Sequence, residues 1–275
     1  MNNLIDLAQV IGTGLSNQQC YLSLQRVSQE EGTFWSYRAD NTSGIWCSKH
    51  EWSAGIEVTS SLTTIPDDLL PTMVAALFSV VGIPFVRDIN TQGEDRQLPN
   101  DIYPVVQCNG YQFVLVGFSA AWIKRLTIGW ESYIAPQVTV SVPLIAGYLT
   151  DTKPIFNGQG VWLKDGHNPN KGSAILWWGK PVASVQYHEE KTWLVNNVYP
   201  PYRLSDKTSY VKIASLDVSL QDLLNLENGN IFEADLACEA QSKLISDNQC
   251  VTKGELVVSP DGVVFYANDC FKAPV

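Results

Sequence analysis

The chain has 275 residues, of which 45% are apolar and 17% charged, so it can bury one large core or a few small ones and is too apolar to stay disordered. Its formal net charge is −10, acidic residues outnumber basic ones both before and after residue 138, and the longest basic run is Lys124-Arg125. That argues against nucleic-acid binding, which needs a Lys/Arg stripe to displace counterions.

The opening MNNLIDLAQVIGTG has no positive leader region and carries Asp6 within its apolar stretch. It does not read as a signal peptide, and a cytosolic start is expected. The Gly12-Thr13-Gly14 triplet lacks the third glycine and the βαβ surroundings of a dinucleotide fingerprint. Strand-like runs follow at Tyr21–Val27, Phe34–Ala39, Gly44–Ser48 and Glu51–Val58. The spacing of Leu69, Leu70, Met73, Val74, Leu77, Phe78 and Val81, with Asp67 and Asp68 in the first turn, predicts a long helix over Thr64–Gly82. The apolar run Thr72–Val86 is shorter than the ~20 residues that span a bilayer and contains Gly82 and Pro84, so it reads as a buried helix end.

A polar loop over Asn90–Asn100 leads to strands at Tyr103–Cys108 and Tyr111–Phe118, then a short helix at Ala120–Leu126. Gly117-Phe118-Ser119-Ala120-Ala121 resembles the nucleophile elbow of α/β-hydrolases, with Ala121 where that pattern wants glycine. Ser119 would be the nucleophile, Asp151 or Asp165 the acid and His167 or His188 the base. The surrounding chain does not support that fold: it needs strands alternating with long helices, and beyond residue 137 helical patterns almost vanish.

Past Pro136 the chain is strand after strand, and a domain boundary is placed near 137. A shift of 71 residues lays Tyr148–Gly158 (YLTDTKPIFNG) on Ser219–Gly229 (SLQDLLNLENG), pairing Leu149 with Leu220, Asp151 with Asp222, Ile155 with Leu226, Asn157 with Asn228 and Gly158 with Gly229. A shift of 69 lays Trp178–Tyr187 on Asp247–Leu256. Two copies of one module of about 65 residues are the economical reading. Within the second copy, Ser219 can cap a two-turn helix, with Leu220, Leu223 and Leu224 on one face. Asn228-Gly229 stops it and Ile231-Phe232 restarts as strand. Ser259-Pro260-Asp261-Gly262, between Leu256-Val257-Val258 and Val263-Val264-Phe265, predicts a final hairpin.

The six cysteines, at 20, 47, 108, 238, 250 and 270, have no CxxC pair and only three histidines to help them. No metal site is expected, and the cysteines are read as reduced, buried residues, with disulfides the alternative if the chain is secreted. The nine tryptophans are spread too evenly for one sugar-stacking face, and no carboxylate pair stands out as acid and base. No cofactor and no enzyme activity are predicted. A β-rich carbohydrate- or peptide-binding protein is the next reading, and a hydrolase using Ser119 the last.

The strand Val211–Leu216, the run Ser219–Ile231 and the triplet Gly254-Glu255-Leu256 before the last hairpin together resemble the surface-presentation-of-antigens (SPOA) domain. That domain occurs in cytosolic ring proteins of type III secretion systems and in flagellar motor switch proteins. The resemblance covers residues 208–272, more weakly 138–199, and before that rests on length and order. It implies an α+β, mainly β chain: a mixed α/β N-terminal domain (1–137), a first SPOA-like module (138–200) and a second (201–275), the modules paired in an intertwined way. Leu149, Ile155, Leu220, Leu223, Leu224, Leu226, Ile231, Phe232 and Leu256 would form the pairing core. The function implied is a non-enzymatic scaffold of the sorting platform, at the cytosolic base of the apparatus. Its implied partners are its own modules, the stator of the secretion ATPase, a basal-body adaptor and chaperone–effector complexes.

Overall fold

The computed structural model describes residues 2–17, 20–28, 30–51, 89–90, 93–108, 110–150, 155–200 and 208–270. The chain divides into two compact units, residues 1–138 and 139–275.

The first unit opens with helix α1 (Asn2–Ile11), then strands β1 (Leu15–Asn17), β2 (Cys20–Val27), β3 (Glu31–Tyr37), β4 (Asp40–Ser48), β5 (Glu94–Gln97), β6 (Asp101–Cys108) and β7 (Tyr111–Val116). Helix α2 (Ala120–Leu126) and β8 (Glu131–Ser132) complete it. The strands form one sheet in the order β5-β3-β4-β7-β6-β2-β1-β8, antiparallel at every pairing. Its central strands are buried on both faces. Phe34, Trp46, Val105, Val114 and Val116 pack with Leu98 in one cluster, while their neighbours Trp35, Ile45, Val106, Phe113 and Leu115 are buried too. Helix α1 packs against α2 and β2, burying Leu7, Ala8 and Ile11.

The chain is therefore mainly antiparallel β rather than α+β, with two large sheets and no mixed α/β N-terminal domain among the described residues. The physical reason lies in the connections: two residues join β1 to β2, β3 to β4 and β6 to β7, which forces antiparallel return, whereas α/β layering needs parallel strands and helical crossovers. The helix expected over Thr64–Gly82 and nearly all of the strand expected over Glu51–Val58 lie outside the described residues.

The second unit contains β9 (Thr139–Leu149), β10 (Gly160–Trp162), β11 (Ser173–Trp177), β12 (Pro181–Tyr187), β13 (Thr192–Val198), β14 (Ser209–Ser219), helix α3 (Leu220–Leu224), β15 (Ile231–Ser246), β16 (Gln249–Ser259) and β17 (Gly262–Cys270). Its pairings close a circuit, β15-β13-β12-β11-β9-β14 and back to β15, from which β16, β17 and β10 extend. Closing the circuit leaves no free edge within it. Strand β15 takes part in both regions because it is 16 residues long. Its first part pairs β13 and β14, and its last part pairs β14 and β16.

Two turns show how sequence sets register here. Asp247 and Asn248 both adopt positive φ, 49° and 61°, making a two-residue hairpin between β15 and β16 with Ser246 opposite Gln249. The β16–β17 hairpin closes at Ser259 opposite Gly262, as its Pro-Asp-Gly sequence predicts.

Candidate functional site: an interlocked strand core

Strands β9 and β14 oppose each other over their full lengths, from Leu149–Ser209 to Thr139–Ser219, with Leu144 opposite Ala214 midway. An antiparallel pair centred on residues 70 apart is what results when two equivalent strands meet about a twofold axis.

The hydrogen bonds around that centre repeat. Gly158 N–H donates to Ala267 O (2.7 Å), Ala267 N–H to Gln159 O (3.1 Å) and Leu163 N–H to Val263 O (2.9 Å). In the other direction Gly229 N–H donates to Val195 O (2.8 Å), Val195 N–H to Asn230 O (2.9 Å) and Ala234 N–H to Lys191 O (2.9 Å). Each bond of the second set follows from the first by adding 71 to one partner and subtracting 72 from the other. Accordingly β10 lies on β17, with Val161 opposite Phe265, and the start of β15 lies on β13, with Phe232 opposite Trp193. The hairpins match as well: a bulge between Ser184 and Val185 in β12 is matched 69 residues on by one between Lys253 and Gly254 in β16. Residues 155–163 thus complete the last hairpin of the chain, and residues 229–234 complete an earlier one.

The side chains at this exchange are core. Ala146 and Leu163 cluster with Val211, Leu244, Val263, Phe265 and Ala267, and Leu149, Ile155, Val161, Ile213 and Leu256 pack around them. Of the residues expected to pair, Leu149, Ile155 and Leu256 come together here. Leu220 and Leu223 are buried on α3, which lies against β14, and Leu224 and Leu226 are half-buried; these four are not part of the cluster. Phe232 is buried opposite Trp193, whereas Ile231 is 55% exposed and contributes no core. Ser219 caps α3, its Oγ accepting from Asp222 N–H at 3.4 Å. Gly254 is required where it stands, since a Cβ would lie 2.0 Å from Tyr266 O.

Two polar features hold the corners. Strand β15 inserts residues 239–242 opposite the single residue Ile213, which bends it from one neighbour set to the next. Lys212 and Lys243 stand directly opposite each other there, and Glu239 accepts from both, at 2.8 and 2.5 Å. These hydrogen bonds hold the Glu239 carboxyl below its ordinary pKa. The loop after β10 is tied down by Tyr148 Oη donating to Asp165 Oδ2 (2.6 Å) and by His167 Nδ1 bonded to Ser173 Oγ (2.7 Å). Burial lowers the His167 pKa, with Asp165 opposing. Spacing gave no warning of either feature.

The hydrolase candidates have structural roles. Ser119 Oγ accepts from Trp122 N–H as the cap of α2, Asp165 and His167 serve the loop just described, and His188 N–H bonds Thr192 O at a hairpin end; Asp151 lies outside the described residues. Trp35, Trp46, Trp177, Trp178 and Trp193 are buried. The cysteine expectation needs correction: Cys20 and Cys108, 88 residues apart but opposite each other on β2 and β6, are joined in a disulfide. Among the described residues no group of three or more His, Cys, Asp and Glu side chains is arranged to hold a metal ion, and no helix is long and apolar enough to cross a membrane.

The interlocked region is similar to a known domain. Residues 135–267 match the SepQ protein C-terminal domain. That family is a type III secretion sorting-platform family. The match spans the SepQ-like unit from just before β9 into β17. No curated protein matches the chain.

Proposed function

We propose that the chain is a non-enzymatic scaffold of the cytosolic sorting platform of a type III secretion system, and that its SepQ-like unit consists of two interlocked SPOA-like modules, residues 138–200 and 201–275, behind an N-terminal domain of residues 1–137. The observation that carries this reading is the reciprocal set of hydrogen bonds by which residues 158–163 and 229–234 each complete the other half's hairpin. A module of about 65 residues is marginal alone, and mutual completion adds to its core. In this reading the interlocked body links a basal-body adaptor to the stator of the secretion ATPase and receives chaperone–effector complexes, at the cytosolic base of the apparatus. Its chemistry is surface recognition, with no reacting group.

The test is a deletion strain complemented with the full chain or with Phe265→Ala, scored for effector secretion and for co-purification of the stator and adaptor. The expected result is that the full chain restores secretion and retains both partners while Phe265→Ala does neither. Secretion that proceeds normally in the deletion strain sinks the platform reading; secretion restored without either partner bound sinks the linking role.

A further inference from the structure

We propose that Cys20 and Cys108 form a reversible redox staple of the first unit, closed by exchange with a small-molecule disulfide such as oxidised glutathione and opened by the corresponding thiol. The two residues are partners in the β2–β6 ladder with Cα atoms 4.4 Å apart, within the span a disulfide bridges. Cys20 is the first residue of β2 and Cys108 the last of β6, so the pair sits at the end of an eight-residue ladder, where local opening is least costly. The flanking strand β1 is only three residues long and reaches Cys20 through its own last residue, Asn17. Both cysteines are buried, 4% and 1% exposed, so exchange proceeds through that opening rather than at the closed surface.

The other described cysteines differ. Cys47 is buried and its thiol is held protonated by that burial, so it is a poor nucleophile. Cys238 and Cys250 are exposed, on strands of the second unit. In the closing reaction one thiolate, Cys20 or Cys108, attacks a sulfur of glutathione disulfide and expels one glutathione thiolate. The other cysteine's thiolate then attacks the protein sulfur of the mixed disulfide and expels the second. Two electrons and two protons pass from the protein dithiol to the small disulfide, which leaves as two thiols. Closure ties the ends of an 88-residue stretch that includes β3, β4 and β5, restricting the unfolded chain and raising the stability of the first unit.

The experiment uses the full chain carrying Cys238→Ser, Cys250→Ser and Cys270→Ser, equilibrated in glutathione buffers from fully reduced to fully oxidised, quenched with acid, alkylated and read by peptide mass spectrometry. The expected result is one two-electron transition of the Cys20–Cys108 peptides, superimposable from either direction, with the thermal midpoint of the first unit raised by about 5–15 °C when closed. A Cys20→Ser/Cys108→Ser variant should melt with the reduced protein and lose all redox dependence; if it does not fold, the wild-type titration decides alone. A pair that stays fully alkylated in the oxidised buffers, or cross-linked in the reduced ones, overturns the proposal. So does a transition that leaves the melting unchanged.

Discussion

The two units build large antiparallel sheets with different connections. In the first, the central strands are double-faced core: β4 buries Ser43 to Cys47 without a break and β7 buries Phe113 to Val116, so each strand is held by side chains above and below it. In the second, strands are held by belonging to two neighbourhoods at once, with β15 serving β13, β14 and β16, and β10 lying on a strand about 100 residues away in sequence. The difference is one of cooperativity. A hairpin of the first unit is bordered by its neighbours in a single open sheet, whereas in the second unit the β16–β17 hairpin is bordered by β10 and the β12–β13 hairpin by the start of β15.

The strongest way to break that comparison is Phe265→Ala. Phe265 is fully buried, lies opposite Val161 of β10 and packs with Leu163, Val211 and Leu244. Truncation should cost about 3–5 kcal/mol. The informative readout is hydrogen exchange at residues 158–163, which belong to the other half: their amides should lose protection together with those of β17. Loss of protection confined to β16 and β17 would show that the halves are merely adjacent. Exchange in β4, β6 and β7 should not change.

Gly254→Ala comes next. A Cβ there would meet Tyr266 O at 2.0 Å and the Phe265 ring at 2.7 Å, so the β16–β17 pair must part at its bulge. Overpacking of this kind costs about 1–3 kcal/mol, read as a lower denaturation midpoint with an unchanged slope. A variant as stable as the parent would mean that the bulge yields freely and does not fix the register.

How much of this was legible in the sequence depends on the range of the interaction. Local devices were readable: the Ser219 cap, the Ser259–Gly262 turn and helix α2, each specified within a few residues. The shifts of 71 and 69 residues visible in the sequence recur in the hydrogen bonds and in the matched bulges. Partner choice was not readable, because nothing near Val161 names Phe265 and nothing near Phe232 names Trp193. For the same reason the Cys20–Cys108 pair could not be told from two buried thiols, and the Glu239 corner was invisible, since its two lysines come from different strands. Helix α1 carries a helical period at Leu4, Leu7, Ala8 and Ile11, but at ten residues that period is too short to tell from an apolar run without fixed conformation. The mixed α/β expectation rests on the helical spacing of Leu69 to Val81, whereas the short connections dictate antiparallel return.

A smaller effect sharpens the account of α3. Ser219→Ala removes the acceptor for Asp222 N–H, a long bond at 3.4 Å, so the cost should fall at the lower end of the usual range, about 0.5–1 kcal/mol. Because Leu220 and Leu223 still pack against β14, the loss should appear as fraying of α3 in hydrogen exchange and leave the β9–β14 amides unchanged. Equal deprotection of that ladder would make the cap part of the pairing core.

The smallest effect is one of acidity at the β15 corner. Glu239 is held below the ordinary glutamate value of 4.5, first by hydrogen bonds from Lys212 and Lys243 and then by their charges. A carboxyl depressed in the folded state contributes stability that is full above its unfolded value and is lost as pH falls through the folded one. His167, also depressed and by burial, acts in the same direction from a higher starting point, below about 6.5. Glu239→Gln separates the two. It should reduce stability at neutral pH by about 1 kcal/mol or less, because Glu239 and its lysines are partly solvated, and it should flatten the loss below pH 4.5 while leaving the His167 loss in place. The measurement is the denaturation midpoint of the second unit from pH 7 to 3 in both proteins. Parallel curves would mean that the facing lysines tolerate each other without the carboxylate, and that the inserted residues alone turn the strand.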